Sequence, residues 1–147
     1  MTSAILNPMT ISRNAGDNRE WSVCAYVGAE RTKHDSSDYR NSSDIVLGER
    51  HISVKSSAFT LMSGNMCEGE TTMDGIWNVY ERNTHSNEVA YVTEDFTAYF
   101  MTMAEFKKFV YAFCRTEKES AKNGGQTKIR CRKESKKMVE WLAAHIG

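Results

Sequence analysis

Two short runs of alternating apolar and polar residues, Asp44 to Leu47 and His51 to Lys55, flank a turn at Gly48 and Glu49, and the rest of the chain is best organised around them. The spacing predicts a β-hairpin. Ile45 and Leu47 share one face, as do Ile52 and Val54, so the pleat sends these side chains inward and leaves Asp44, Ser53 and Lys55 on polar-facing positions. A carboxylate and a lysine on neighbouring strands can then converge on one point.

The flanking patterns fill in the other elements. Residues 1–16 are polar and show no period, which predicts a loosely ordered lead-in. Asp17 and Glu20 have capping-box spacing and open a helix to about Arg31, with Trp21, Cys24 and Val27 or Gly28 inward. Residues 32–43 are turn formers. After Lys55 an extended start at Ala58 to Leu61 leads into a loop that ends near Glu68 and Glu70. Met73, Ile76, Trp77 and Tyr80 recur at helical spacing over 71–83. Two strands follow, 88–93 and 96–101, joined at Glu94 and Asp95. Thr102 and Glu105 form a second capping box, opening a helix with Phe106, Phe109, Val110 and Phe113 inside and Lys107 and Lys108 outside. A linker with Gly124 and Gly125 precedes a short strand, 127–132, and a last helix buries Met138, Trp141, Leu142 and Ile146. This order predicts an α/β (mixed α+β) domain, a mixed sheet with helices on its faces, spanning the whole of 1–147.

Composition adds little to the fold and more to the surface. With one proline, 40% hydrophobic and 26% charged residues, the chain has the make-up of a globular domain. No run approaches membrane-spanning length and the start lacks a secretory pattern, so a cytoplasmic protein without membrane contact is expected. Cys24, Cys67, Cys114 and Cys131 have no CxxC pairing and are read as reduced, structural thiols and not as a zinc site. The net charge is zero but unevenly spread: residues 107–137 carry 11 lysines and arginines against 3 acids, whereas residues 1–106 carry 8 against 15. A basic surface able to follow phosphates, densest at Lys128, Arg130, Arg132, Lys133 and Lys136, would lie beside an acidic region able to hold a cation.

The helix bearing Glu20, the strand starting at Asp44 and the Ser53-Val54-Lys55 triplet on the next strand resemble the PD-(D/E)xK nuclease superfamily, the restriction endonuclease-like fold. The order over 17–93 is similar to that family's core, and 94–147 would be a C-terminal addition. The resemblance implies Asp44 as a metal ligand, Lys55 as the catalytic lysine and Glu20 as the helical carboxylate. It implies magnesium, or manganese, as cofactor, double-stranded DNA as substrate and a homodimer as the working form. Ser53 stands where the family places an acid, and a hydroxyl is a poor replacement for a carboxylate around a hard cation. Some members similar to this chain supply the carboxylate from the following helix, which nominates Glu70 or Glu68, with Glu81 a weaker candidate.

Each residue also has an ordinary structural explanation. Asp44 could start a strand, Lys55 could blunt a sheet edge, Glu20 could cap its helix, and Glu70 could favour the next helix through its dipole. His34, Asp35 and His51 read as polar loop and strand groups. No GxSxG, phosphate loop or paired helical histidines compete. Beside a metal-dependent nuclease stand two alternatives: a catalytically inactive nucleic-acid-binding protein on the same fold, and a protein-interaction or inhibitor module using the acidic part.

Overall fold

The structure, a computed structural model, describes residues 3–31, 44–61, 69–123 and 125–147. In chain order the elements are β1 (Ser3–Ile5), α1 (Ala15–Val27), β2 (Ile45–Leu47), β3 (Arg50–Lys55), β4 (Thr60–Leu61), α2 (Met73–Asn83), β5 (Glu88–Val92), β6 (Thr97–Thr102), α3 (Met103–Phe113), β7 (Cys114–Lys118), β8 (Thr127–Cys131) and α4 (Lys136–His145). The mixed α/β class predicted from the patterning is the class observed.

The hairpin forms as the alternation predicts, with Ile45 opposite Ile52 and Gly48 at φ 60°, a left-handed turn position that suits glycine. β3 runs parallel to β5, placing Lys55 beside Tyr91, and the remaining pairs are antiparallel, giving a five-stranded sheet in the order β1-β6-β5-β3-β2. β4, β8 and β7 make a second, three-stranded sheet. One face of the large sheet packs on α1 through Val23, Cys24, Ile45, Ile52 and Ala90. The other face, with Val89, Tyr91 and Met101, is covered by Trp77 of α2, Phe106 and Phe109 of α3, Met138 and Leu142 of α4, and Ile129 of the small sheet. Burial on both faces explains the apolar run of β5. Among the described residues no helix is long and apolar enough to cross a membrane.

Several expectations need correction. Residues 3–5 are a strand on β6, not a loose lead-in, because the sheet offers an edge that local patterning cannot reveal. The first helix is capped by Asn14, whose side chain accepts the Asp17 N–H at 3.2 Å, so Asp17 and Glu20 form no capping box there. Its buried residues are Ser22, Val23 and Cys24. Leu47, at the turn end of the hairpin, is 37% exposed while Ile45 is fully buried. The polar segment Cys114–Lys118 is a strand, held by β8 and not by any apolar period of its own. By contrast, Thr102 and Glu105 make the full capping box, both reciprocal bonds included.

Candidate functional site

β3 and β5 are parallel, so their carboxyl ends lie together, and antiparallel β2 starts at the same end. Ligand sites of open α/β sheets favour this end. Asp44 sits there just ahead of β2. Its backbone N–H donates to the Ile52 carbonyl at 2.9 Å, and its Oδ2 accepts the Val54 N–H at 2.7 Å, standing in for a ladder carbonyl. The carboxylate is thereby fixed in orientation. The ordinary strand-start reading of Asp44 is thus real, and it uses one of the two carboxylate oxygens.

Released from capping, Glu20 turns to two partners. It accepts a hydrogen bond from Arg31, which also donates to Asp17 at 3.1 Å and stacks over the Trp21 ring at 5.4 Å. It also lies close enough to Asp44 for the charge of each carboxyl to act on the other. Arg31 pairs by backbone with Ile45, which brings its side chain to this spot. Lys55 is half-buried at the end of β3, its ammonium 6.0 Å from the centre of the Phe59 ring, and it feels the charges of both Asp44 and Glu20.

Burial decides the protonation of all three groups. It pushes the Glu20 carboxyl up to about 7, helped by Asp44 and opposed by Arg31. It raises Asp44 as well, against the Val54 N–H and Lys55. It lowers Lys55, against the pull of Asp44 and Glu20. Each group is driven toward its neutral form, because the enclosed charges compensate one another incompletely.

Of the residues nominated from sequence, Asp44, Glu20 and Lys55 therefore share one site. Ser53 is completely buried two positions before Lys55, and its hydroxyl has no hydrogen-bond partner among the described residues. Glu70 has its Oε1 packed over Gly75 in the first turn of α2, near Asn78 and Arg82. Glu81 is exposed on α2 and acts on Tyr111. His51 is at the opposite end of β3, its backbone N–H held by Asn87. Glu68, His34, Asp35 and Cys67 lie outside the described residues. Cys24, Cys114 and Cys131 are free thiols.

The basic residues divide in the same way. Lys128 and Arg130 are on β8, Arg132 and Lys133 follow it exposed, and Lys136 opens α4 with Glu140 at 3.9 Å. Arg130 lies 3.8 Å from Glu117. Two residues escaped the sequence reading. Arg31 carries no motif, and only its tertiary partners give it a role. Glu134 is lost in a basic run, yet it accepts from the Tyr91 hydroxyl at 3.0 Å and the Glu94 N–H at 3.2 Å, lacing the end of β5 to the segment before α4.

As a cation site, this donor set fits magnesium in one respect. Magnesium commonly takes one or two carboxylates and completes its shell with waters and phosphate oxygens. Glu20 and Asp44 supply two neighbouring carboxylates. No cluster of three or more histidine, cysteine or acidic residues placed to hold a metal occurs among the described residues, so a closed, all-protein cage is not what this geometry offers. Comparison of the chain with protein-family models, curated proteins and solved structures gave no match.

Proposed function

We propose that this protein is a metal-dependent nuclease hydrolysing phosphodiester bonds, with DNA as substrate and Asp44, Glu20 and Lys55 as its working residues. The reading rests on one observation: two half-buried carboxyls, Glu20 and Asp44, both raised toward the protonated form, act on each other within the field of Lys55 at the carboxyl end of a parallel strand pair.

In this reading Asp44 and Glu20 would hold the magnesium ion, with the Asp44 carboxylate oriented by the Val54 N–H. A bound divalent cation supplies polarisation of a non-bridging phosphoryl oxygen and acidifies a coordinated water. Lys55 orients the attacking water by hydrogen bonding and opposes the negative charge that develops on the phosphoryl oxygens. Its lowered pKa suits it to proton traffic near neutrality better than an exposed lysine. Arg31 keeps the Glu20 carboxylate in place and limits the repulsion between the two acids. Ser53 fills the position of a third acid without adding charge.

Digestion of double-stranded DNA with magnesium and with EDTA, using the parent chain, Asp44→Ala and Lys55→Ala, tests the assignment. Cleavage by the parent in magnesium only, reduced about 100-fold or more in both variants, is expected for groups that stabilise the transition state. Equal cleavage by all three proteins removes these residues from the mechanism.

A second reading is favoured by the Arg31–Glu20 ion pair, which occupies part of the carboxylate meant for a cation. Here the protein binds nucleic acid without cutting it. That reading predicts salt-sensitive binding indifferent to magnesium, and no cleavage by the parent.

A further inference from the structure

The hydrolytic reading uses the basic residues only as a diffuse surface, yet four of them converge. Arg115, Arg130, Arg132 and Lys133 line an open depression of about 740 Å³, whose wall also includes Ser57 and Phe113 and no carboxylate. Its size is that of pockets taking nucleotide-sized ligands.

The local geometry explains why an anion is wanted. Arg115 and Arg130 are direct cross-strand partners of β7 and β8, so two guanidinium groups project from the same face. Like charges directly opposite each other destabilise a sheet. Glu117 lies 3.7 Å from one and 3.8 Å from the other, answering one of the two charges. Arg132 and Lys133 are exposed and make no ion pair with any described residue. Guanidinium forks match phosphate oxygens two at a time.

Position ties this depression to Lys55. Ser57 stands two residues beyond that lysine, a chain distance of at most about 7 Å. The Ser57 hydroxyl accepts the Glu134 N–H at 2.9 Å, and the Glu134 carboxylate is held by Tyr91 and Glu94 at the end of β5. The segment carrying Arg132 and Lys133 is therefore pinned to the same sheet end as Asp44 and Lys55. The depression therefore opens beside the strand end that carries Lys55.

We propose that the depression is a phosphate subsite, which holds a nucleic-acid phosphate neighbouring the one presented to Lys55. The choice of neighbouring phosphate rests on the hydrolytic reading; the binding itself does not. The phosphate could belong to a diester within a strand or to a monoester at its end.

Anisotropy of a labelled oligonucleotide, titrated with the full chain in EDTA, reads the subsite without cleavage. Arg115→Ala with Arg132→Ala should weaken binding about tenfold or more, and lower the salt slope by about 2. Lys107→Ala with Lys108→Ala removes equal charge from the exposed face of α3 and should cost under about threefold. Arg115→Lys with Arg132→Lys should fall between parent and alanine variant, showing that fork geometry counts beyond charge. Equal losses in the two alanine pairs, or no loss in either, overturn the subsite. A mononucleotide should displace the oligonucleotide where the unphosphorylated nucleoside does not; equal competition by both also overturns it. Tighter binding of a 5′-phosphorylated oligonucleotide assigns the contact to a terminal monoester, and equal binding assigns it to a diester. If this pattern holds while the parent fails to cut DNA in magnesium, the subsite stands and hydrolysis falls. If the parent cuts and the pocket variant binds and cuts like it, hydrolysis stands and the subsite falls.

Discussion

At the scale of single residues, the site is governed by where each carboxylate oxygen is spent. Asp44 uses Oδ2 to satisfy the Val54 N–H. Replacing it by alanine leaves that donor unpaired and should lower stability by about 1–3 kcal/mol in denaturant unfolding, whereas Asp44→Asn keeps an acceptor and should retain most of it. Loss of cation binding should be equal in both, which separates the structural from the chemical role of the side chain. Glu20 gives a pH test. Its folded pKa of about 7 exceeds its ordinary value of 4.5, so the native chain holds a proton that the unfolded chain has lost between those values. Without added metal, stability should be greatest below about pH 4.5, as far as this group is concerned, and fall as pH rises through 7, on the order of 2–3 kcal/mol. Thermal melts of Glu20→Gln should show a flatter profile, and an unchanged slope would contradict the burial of this acid beside Asp44. Asp44 and Lys55 could be nominated from sequence because alternation fixes which strand positions share a face. Arg31 could not, since its partners are Asp17 and Glu20 across a helix end, and no local pattern encodes that meeting.

At the scale of elements, local chemistry was legible where it closes on itself. The Thr102 and Glu105 box satisfies its own helix end, and the hairpin around Gly48 needs only its two flanking runs. At the first helix, spacing favours Asp17 because Glu20 follows it, yet Asn14 is an equally good cap and holds the Asp17 N–H. Asn14→Ala should cost about 1 kcal/mol and, by loosening the first turn, raise the magnesium concentration needed for half-saturation. β7 was missed because Cys114–Lys118 has no apolar face to announce it, and its partner strand supplies the order. Between β3 and β4, exposed Ala58 holds φ 60°, a left-handed conformation that costs a non-glycine residue about 1–2 kcal/mol. Ala58→Gly relieves this but loosens the unfolded chain by about 0.4–1 kcal/mol, so a net gain of up to about 1.6 kcal/mol is expected. A loss of stability would show that the turn is held by contacts the alanine methyl makes.

At the scale of the whole molecule, two sheets share one core. The apolar patterns correctly gave a mixed sheet with helices on both sides, since burial of Trp77, Phe106 and Phe109 demands covering layers. They did not separate the small sheet from the large one, because strand partnership between distant segments leaves no mark on hydrophobic period. The arrangement has a consequence: the chain leaves the large sheet at Lys55, turns at Ser57 and enters the small sheet at Thr60, so the acidic site and the basic depression meet at one joint. If Glu20 and Asp44 together trap a divalent cation, magnesium titration by calorimetry at pH 7.5 will register it. The parent should bind one magnesium ion per chain and Asp44→Asn, still folded, should give no binding heat; equal binding by the two proteins, or none by the parent, would contradict it.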